Sequence, residues 1–126
     1  MVRGVETFLA VLTVGMCWSD PGAAGSLLRD FAICAGRFSA VMEEQWMFDG
    51  PGSERTQEEM AAMVSLVEAS MPEGAGPQVL AWRVDAKAAQ RALLGQARFG
   101  RDQRLAETAA ARAEALAAEC RAMLLG

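Results

Sequence analysis

Three cysteines, Cys17, Cys34 and Cys120, are the side chains of this sequence best suited to covalent chemistry. None of them stands in a CxxC pair, and the chain contains no histidine to activate a thiol, so a redox-active or nucleophilic cysteine lacks its usual neighbours. Cross-linking is the chemistry that remains. Cys17 lies inside an apolar leader-like segment, which leaves Cys34 and Cys120 as an even pair. In a small exported domain such a pair predicts one disulfide, Cys34–Cys120. The alternative is two buried free thiols in a reducing compartment, a role cysteine often fills.

Methionine is the second soft donor, with eight in the chain. Met42, Met60 and Met63 are the ones whose thioethers could bind Cu(I) in an exported protein. Packing is the simpler reading, because methionine fills irregular gaps between helices and no histidine or paired thiolate supports a metal. The paired carboxylates Glu43–Glu44 and Glu58–Glu59 invite an acid–base reading. Adjacent residues of a helix point about 100° apart, however, so neither pair shares a face. A di-iron bundle needs Glu-x-x-His, and histidine is missing. Gly50-Pro51-Gly52-Ser53-Glu54-Arg55 precedes a helix and could offer free amides to an anion. It lacks the Gly-Lys-Ser/Thr ending of a phosphate loop and follows no strand, so helix punctuation is the expected role.

The missing histidine excludes zinc-finger, HExxH and Ser-His-Asp chemistry outright, since each needs an imidazole. No nucleophile–base pair can be nominated, and nothing in the sequence calls for a cofactor. A formal charge of −4, from 12 Lys+Arg against 16 Asp+Glu, argues against a protein that neutralises nucleic-acid phosphates. At 126 residues and 52% hydrophobic content, the chain has room for one domain and enough apolar matter for a core.

These residues must be positioned by elements, and the first element reads differently from the rest. Residues 1–25 run MVRGVETFLAVLTVGMCWSDPGAAG. A positive start, an apolar run from Phe8 to Trp18 and a small-residue exit at Ala23, Ala24 and Gly25 match a secretory signal peptide cleaved after Ala24 or Gly25. The run is too short for a stable membrane span, which takes about 20 residues. A periplasmic or secreted mature domain, residues 26–126, follows from that match. A retained amphipathic or buried first helix in a cytoplasmic bundle is the alternative.

From Ser26 onward the apolar residues recur at helical spacing, and an all-α fold, a small four-helix antiparallel bundle, is expected. The first stripe is Leu27, Phe31, Cys34, Phe38, Val41, Gln45 and Phe48, with Ser26 as N-cap and Asp49–Gly52 as terminator. Thr56 and Glu59 form a capping box for a second helix carrying Met60, Met63, Val64, Val67 and Met71. After the Pro72–Pro77 break, a third helix runs to about Phe99 with Val79, Trp82, Ala86, Ala89, Leu93 and Ala97 on one face. Asp102 caps a fourth, carrying Leu105, Ala109, Ala113, Leu116, Cys120, Met123 and Leu124. In an up-down-up-down bundle the fourth helix ends at the level where the first begins. Cys34 then lies about 12 Å above one end and Cys120 about 6 Å above the same end, roughly one turn apart. A bridge between them would stabilise the fold by about 4 kcal/mol through the long loop it closes.

Charge divides the chain. From Asp30 to Gln78 nine acidic side chains stand against two arginines, whereas from Val79 onward eight basic side chains stand against five acidic ones. Complementary faces of one bundle account for this division. The sharper alternative is an acidic docking patch that steers a basic partner. Glu43, Glu44, Trp46, Met47 and Phe48 form the candidate interaction surface, an acidic and bulky apolar cluster at the end of the first helix. Two functional classes follow. The first is a non-enzymatic interaction protein with a protein partner, and its mark would be a solvent-exposed aromatic cluster. The second is a bundle that binds a small ligand or a soft metal, marked by a cavity near Met42, Trp46, Met60, Met63 and Trp82.

Overall fold

The computed structural model describes residues 21–126. The leader-like segment through Asp20, with Cys17, lies outside the described residues. Four helices make up the fold: α1 (Pro21–Phe48), α2 (Gly50–Ser70), α3 (Gly76–Phe99) and α4 (Gln103–Leu124), and they pack on one another as an all-α four-helix bundle.

Two helix starts differ from the expected ones. Ser26 is not an N-cap, because α1 already begins at Pro21 and runs through the small residues Ala23–Gly25 without a break. Thr56 and Glu59 do not open α2 either. Asp49 alone separates α1 from α2, and its carboxylate accepts from the Gly52 amide at 3.2 Å. Pro51 occupies the first turn, where a missing N–H costs nothing. The Gly50–Gly52 stretch is therefore the first turn of α2. Thr56 is buried inside the helix, its hydroxyl donating back to the Gly52 carbonyl at 3.4 Å. The other boundaries match the sequence pattern. Gly74, at φ +82°, turns the chain in the Met71–Ala75 connection, where a side chain would be strained. Asp102 caps α4 by accepting from the Leu105 amide at 3.1 Å.

Helix directions alternate. Gly36 of α1 lies against Arg83 of α3, and further along the same two helices Phe48 meets Phe99, so α1 and α3 run parallel. Cys120 of α4 meets Cys34, and Ala113 meets Gln90, so α4 runs antiparallel to both. The neighbour order is less regular than a simple up-down-up-down bundle. α1 packs extensively against both α2 and α3, α3 packs against α4, and the backbones of α2 and α3 do not approach each other closely. The helices therefore follow one another around the bundle as α2, α1, α3, α4, and the short Met71–Ala75 connection carries the chain across one end. Flanked on two sides, α1 buries more than its single expected stripe: Leu28, Ala32, Ala35, Ala40 and Met42 are buried along with Phe31, Cys34, Phe38 and Val41.

The main core lies in one half of the bundle. Phe31, Phe38, Met63, Val67, Val79 and Cys120 meet there, with Met60, Trp82, Met123 and Leu124 packed around them. In the other half α4 presents Ala109 and Ala113, and less side-chain volume fills the interior.

Candidate functional site

The two cysteines of the described chain form the expected pair. Cys34 and Cys120 are at disulfide distance, their Cα atoms 5.4 Å apart, and both are buried. Packing on the apolar stripes of α1 and α4 brings them together, although α1 starts before Ser26 and Cys34 therefore lies about 20 Å above that end rather than about 12 Å. Arg37 lies across the bridge, its Nη1 3.7 Å from the Cys120 sulfur and 3.5 Å from a Glu119 carboxylate oxygen.

The candidate interaction residues sit together at the C-terminal end of α1. Trp46, Met47 and Phe48 are 59%, 71% and 47% exposed, so the cluster is surface and not core. The tertiary structure adds a residue that the sequence pattern did not single out. Phe99, 72% exposed at the end of α3, places its ring 6.3 Å from that of Phe48, tilted by 60°. The Arg98 guanidinium lies 3.6 Å from the centre of the Phe48 ring, within cation–π range. Met47, Phe48, Leu94 and Phe99 line a groove of about 350 Å³ between α1 and α3, and Arg91 stands among the polar residues of its wall. The parallel packing of α1 on α3 carries the signal that could have found Phe99: two helices ending at the same level bring their last aromatics together.

Glu43 and Glu44 belong to this groove but are engaged within the fold. Lys87 pairs with Glu43, and Arg98 pairs with Glu44 at 2.6 Å. Arg121 of α4 reaches Glu59 of α2 at 2.9 Å. All three bridges join an acid of the first half to a base of the second. Three of the nine acidic side chains of the first half thus face bases of the second as complementary helix faces. What stays open at this end is chiefly apolar.

The methionines divide between two places. Met63 is fully buried in the main core and Met60 packs against it, while Met42 is buried on α1 outside that cluster. Trp46 is exposed at one end of the bundle, and Trp82 lies near the other, 5.9 Å beneath the Arg29 guanidinium. Of the residues named for a ligand cavity, Met60, Met63 and Trp82 come together in and around the packed main core, whereas Met42 and Trp46 lie apart from them. Among the described residues, no group of three His, Cys, Asp or Glu side chains is placed to hold a metal ion, and no helix is long and apolar enough to cross a membrane.

A different cleft does form, in the half of the bundle where α4 is alanine-rich. It measures about 440 Å³ and opens between α1, α3 and α4. Gln90, which the apolar stripe of α3 passed over, is buried on its wall and donates through Nε2 to the Ala113 carbonyl at 3.1 Å. In comparisons with protein-family models, with curated proteins and with solved structures, none matches this chain.

Proposed function

We propose that this chain is a small exported, non-enzymatic interaction protein, braced by one disulfide, that meets a protein partner with the apolar end of its bundle. The exposed cluster of Met47, Phe48 and Phe99 carries the reading, with Trp46 exposed beside it on the last turn of α1. Large apolar side chains gathered on one surface and rimmed by polar groups characterise contact sites, and tryptophan anchors are over-represented among binding hot spots. A partner suited to this surface inserts an apolar side chain into the groove beside Phe48 and Phe99. Asp49, Glu54 and Glu58 are exposed on the α2 side of the same end, so a basic group beside that anchor fits there.

Export rests on the leader-like pattern of residues 1–25, and two structural observations support it. A buried disulfide persists in an oxidising compartment such as the periplasm or the extracellular medium. Leu28 is buried, whereas Ala24, Gly25, Ser26 and Leu27 before it are exposed. Cleavage after Ala24 or Gly25 would leave the core intact.

Two measurements test these parts separately. Intact mass of the protein from its native cells should give a species beginning near Ser26, with both thiols blocked to alkylation until reduction. A full-length species with free thiols would overturn export. A photo-crosslinking residue at Met47 should give adducts in those cells that are lost in a Phe48→Ser/Phe99→Ser double variant and absent when the crosslinker is at Ala111 on α4. Equal adducts from both positions would overturn the surface.

A further inference from the structure

Three sulfurs meet where α4 packs on α1. Cys34 and Cys120 face one another with their Cα atoms 5.4 Å apart, and the Met123 Sδ lies 3.8 Å from the Cys34 Sγ. Cys120 and Met123 stand three residues apart on α4, a spacing that puts both on one face of the helix. Cys34 and Met123 also line a cleft of about 290 Å³, which shares no residue with the aromatic groove. Their other surroundings are apolar: both cysteines belong to the main core with Phe31 and Phe38, and Met123 and Leu124 pack against it.

As a disulfide, the two cysteines offer a metal no thiolate. As a dithiol, the form in which any chain is synthesised, they offer two. The fold thus supplies the paired thiolate that is absent from the sequence pattern. We propose that the dithiol form binds one Cu(I) ion through Cys34 Sγ, Cys120 Sγ and Met123 Sδ. Two metal–sulfur bonds replace two S–H bonds, both protons pass to solvent, and no electron is transferred. Three sulfurs around one ion, at a metal–thiolate length of about 2.3 Å, stand about 4 Å apart. The 3.8 Å between Cys34 and Met123 is close to that spacing. Thiolates and a thioether are soft donors that select Cu(I), whereas a structural Zn(II) site takes four ligands. Two thiolates on Cu(I) leave one negative charge. The Arg37 guanidinium, 3.7 Å from Cys120 Sγ and shared with the exposed Glu119, offsets part of it. Disulfide and metal compete for the same two sulfurs, so the site is open only while the pair is reduced.

The test is an oxygen-free titration of the full domain with Cu(I), after reduction with dithiothreitol and its removal, against a chromophoric Cu(I) chelator. One Cu(I) per chain should bind, with the ultraviolet absorption of Cu(I)–thiolate bonds, and the unfolding midpoint of the reduced domain should rise. The disulfide form should bind at least about a hundredfold more weakly. Met123→Leu conserves volume at a half-buried position, so the fold, read by circular dichroism, is retained. In that variant affinity should fall about tenfold, and X-ray absorption should count two sulfur neighbours in place of three. Met42→Leu, on a methionine outside this cluster, should change neither. No saturable binding by the reduced domain, equal binding by the disulfide form or a preference for Zn(II) would overturn the proposal. So would Cu(I) binding that leaves the unfolding midpoint unmoved, or an unchanged affinity and sulfur count in Met123→Leu.

Discussion

Gly36 is the residue on which the packing of α1 against α3 turns. A Cβ built there would run into the Arg83 carbonyl oxygen and lie 3.1 Å from the Lys87 amide nitrogen, both of them backbone that cannot swing aside. Gly36→Ala should therefore destabilise the domain by about 1–3 kcal/mol, the usual cost of overpacking, as read by chemical denaturation. The exposed aromatics should behave in the opposite way. Trp46→Ser and Phe99→Ser remove side chains that bury little, so the midpoint of unfolding should move by less than about 0.5 kcal/mol while partner crosslinks disappear. That pairing of outcomes separates a contact surface from a core. The sequence made the Trp46–Phe48 cluster visible and left open which of the two it was. Exposure depends on what the other helices cover, and α3 ends level with α1 without reaching over it.

At the scale of the helices, the ends carry most of the disagreement between pattern and structure. Asp49 caps α2, so Asp49→Ala should cost about 1 kcal/mol of stability. Ser26 lies exposed inside α1, so Ser26→Ala in the chain that keeps residues 1–25 should leave stability unchanged or slightly raised, alanine being the better helix former. Denaturation of the two variants side by side discriminates the observed caps from the ones the sequence suggested. Thr56 and Glu59 had the spacing of a capping box, but Asp49 and Pro51 also make a competent start, and theirs lies earlier. Helix propagation is cheaper than a second nucleation, so the chain takes the earlier start. Gln90 escaped the apolar stripe of α3 because a pattern of hydrophobic residues has no place for a buried amide. Only the Ala113 carbonyl opposite makes its burial affordable.

Across the whole molecule the cysteine pair links two helices that pack on each other only slightly. α4 packs mainly on α3, yet Cys120 lies at disulfide distance from Cys34 at the centre of α1. Reduction should lower stability by about 4 kcal/mol on the loop-entropy account. Hydrogen exchange should then speed up first in Gln103–Leu124, with α1 and α2 still protected, because those two share the core. Uniform loss of protection along the chain would show instead that the bundle opens as one unit. The sequence by itself determined the helical class, the number of helices and the absence of imidazole chemistry. All of these follow from local periodicity and composition, which need no knowledge of neighbours. Tertiary structure alone decided that α1 lies between α2 and α3, that Glu43 and Glu44 face Lys87 and Arg98, that Phe99 joins Phe48, and that an amide-lined cleft opens beside α4. Each of these depends on which helix faces which. A helical stripe specifies that a face is buried, and it does not specify against what.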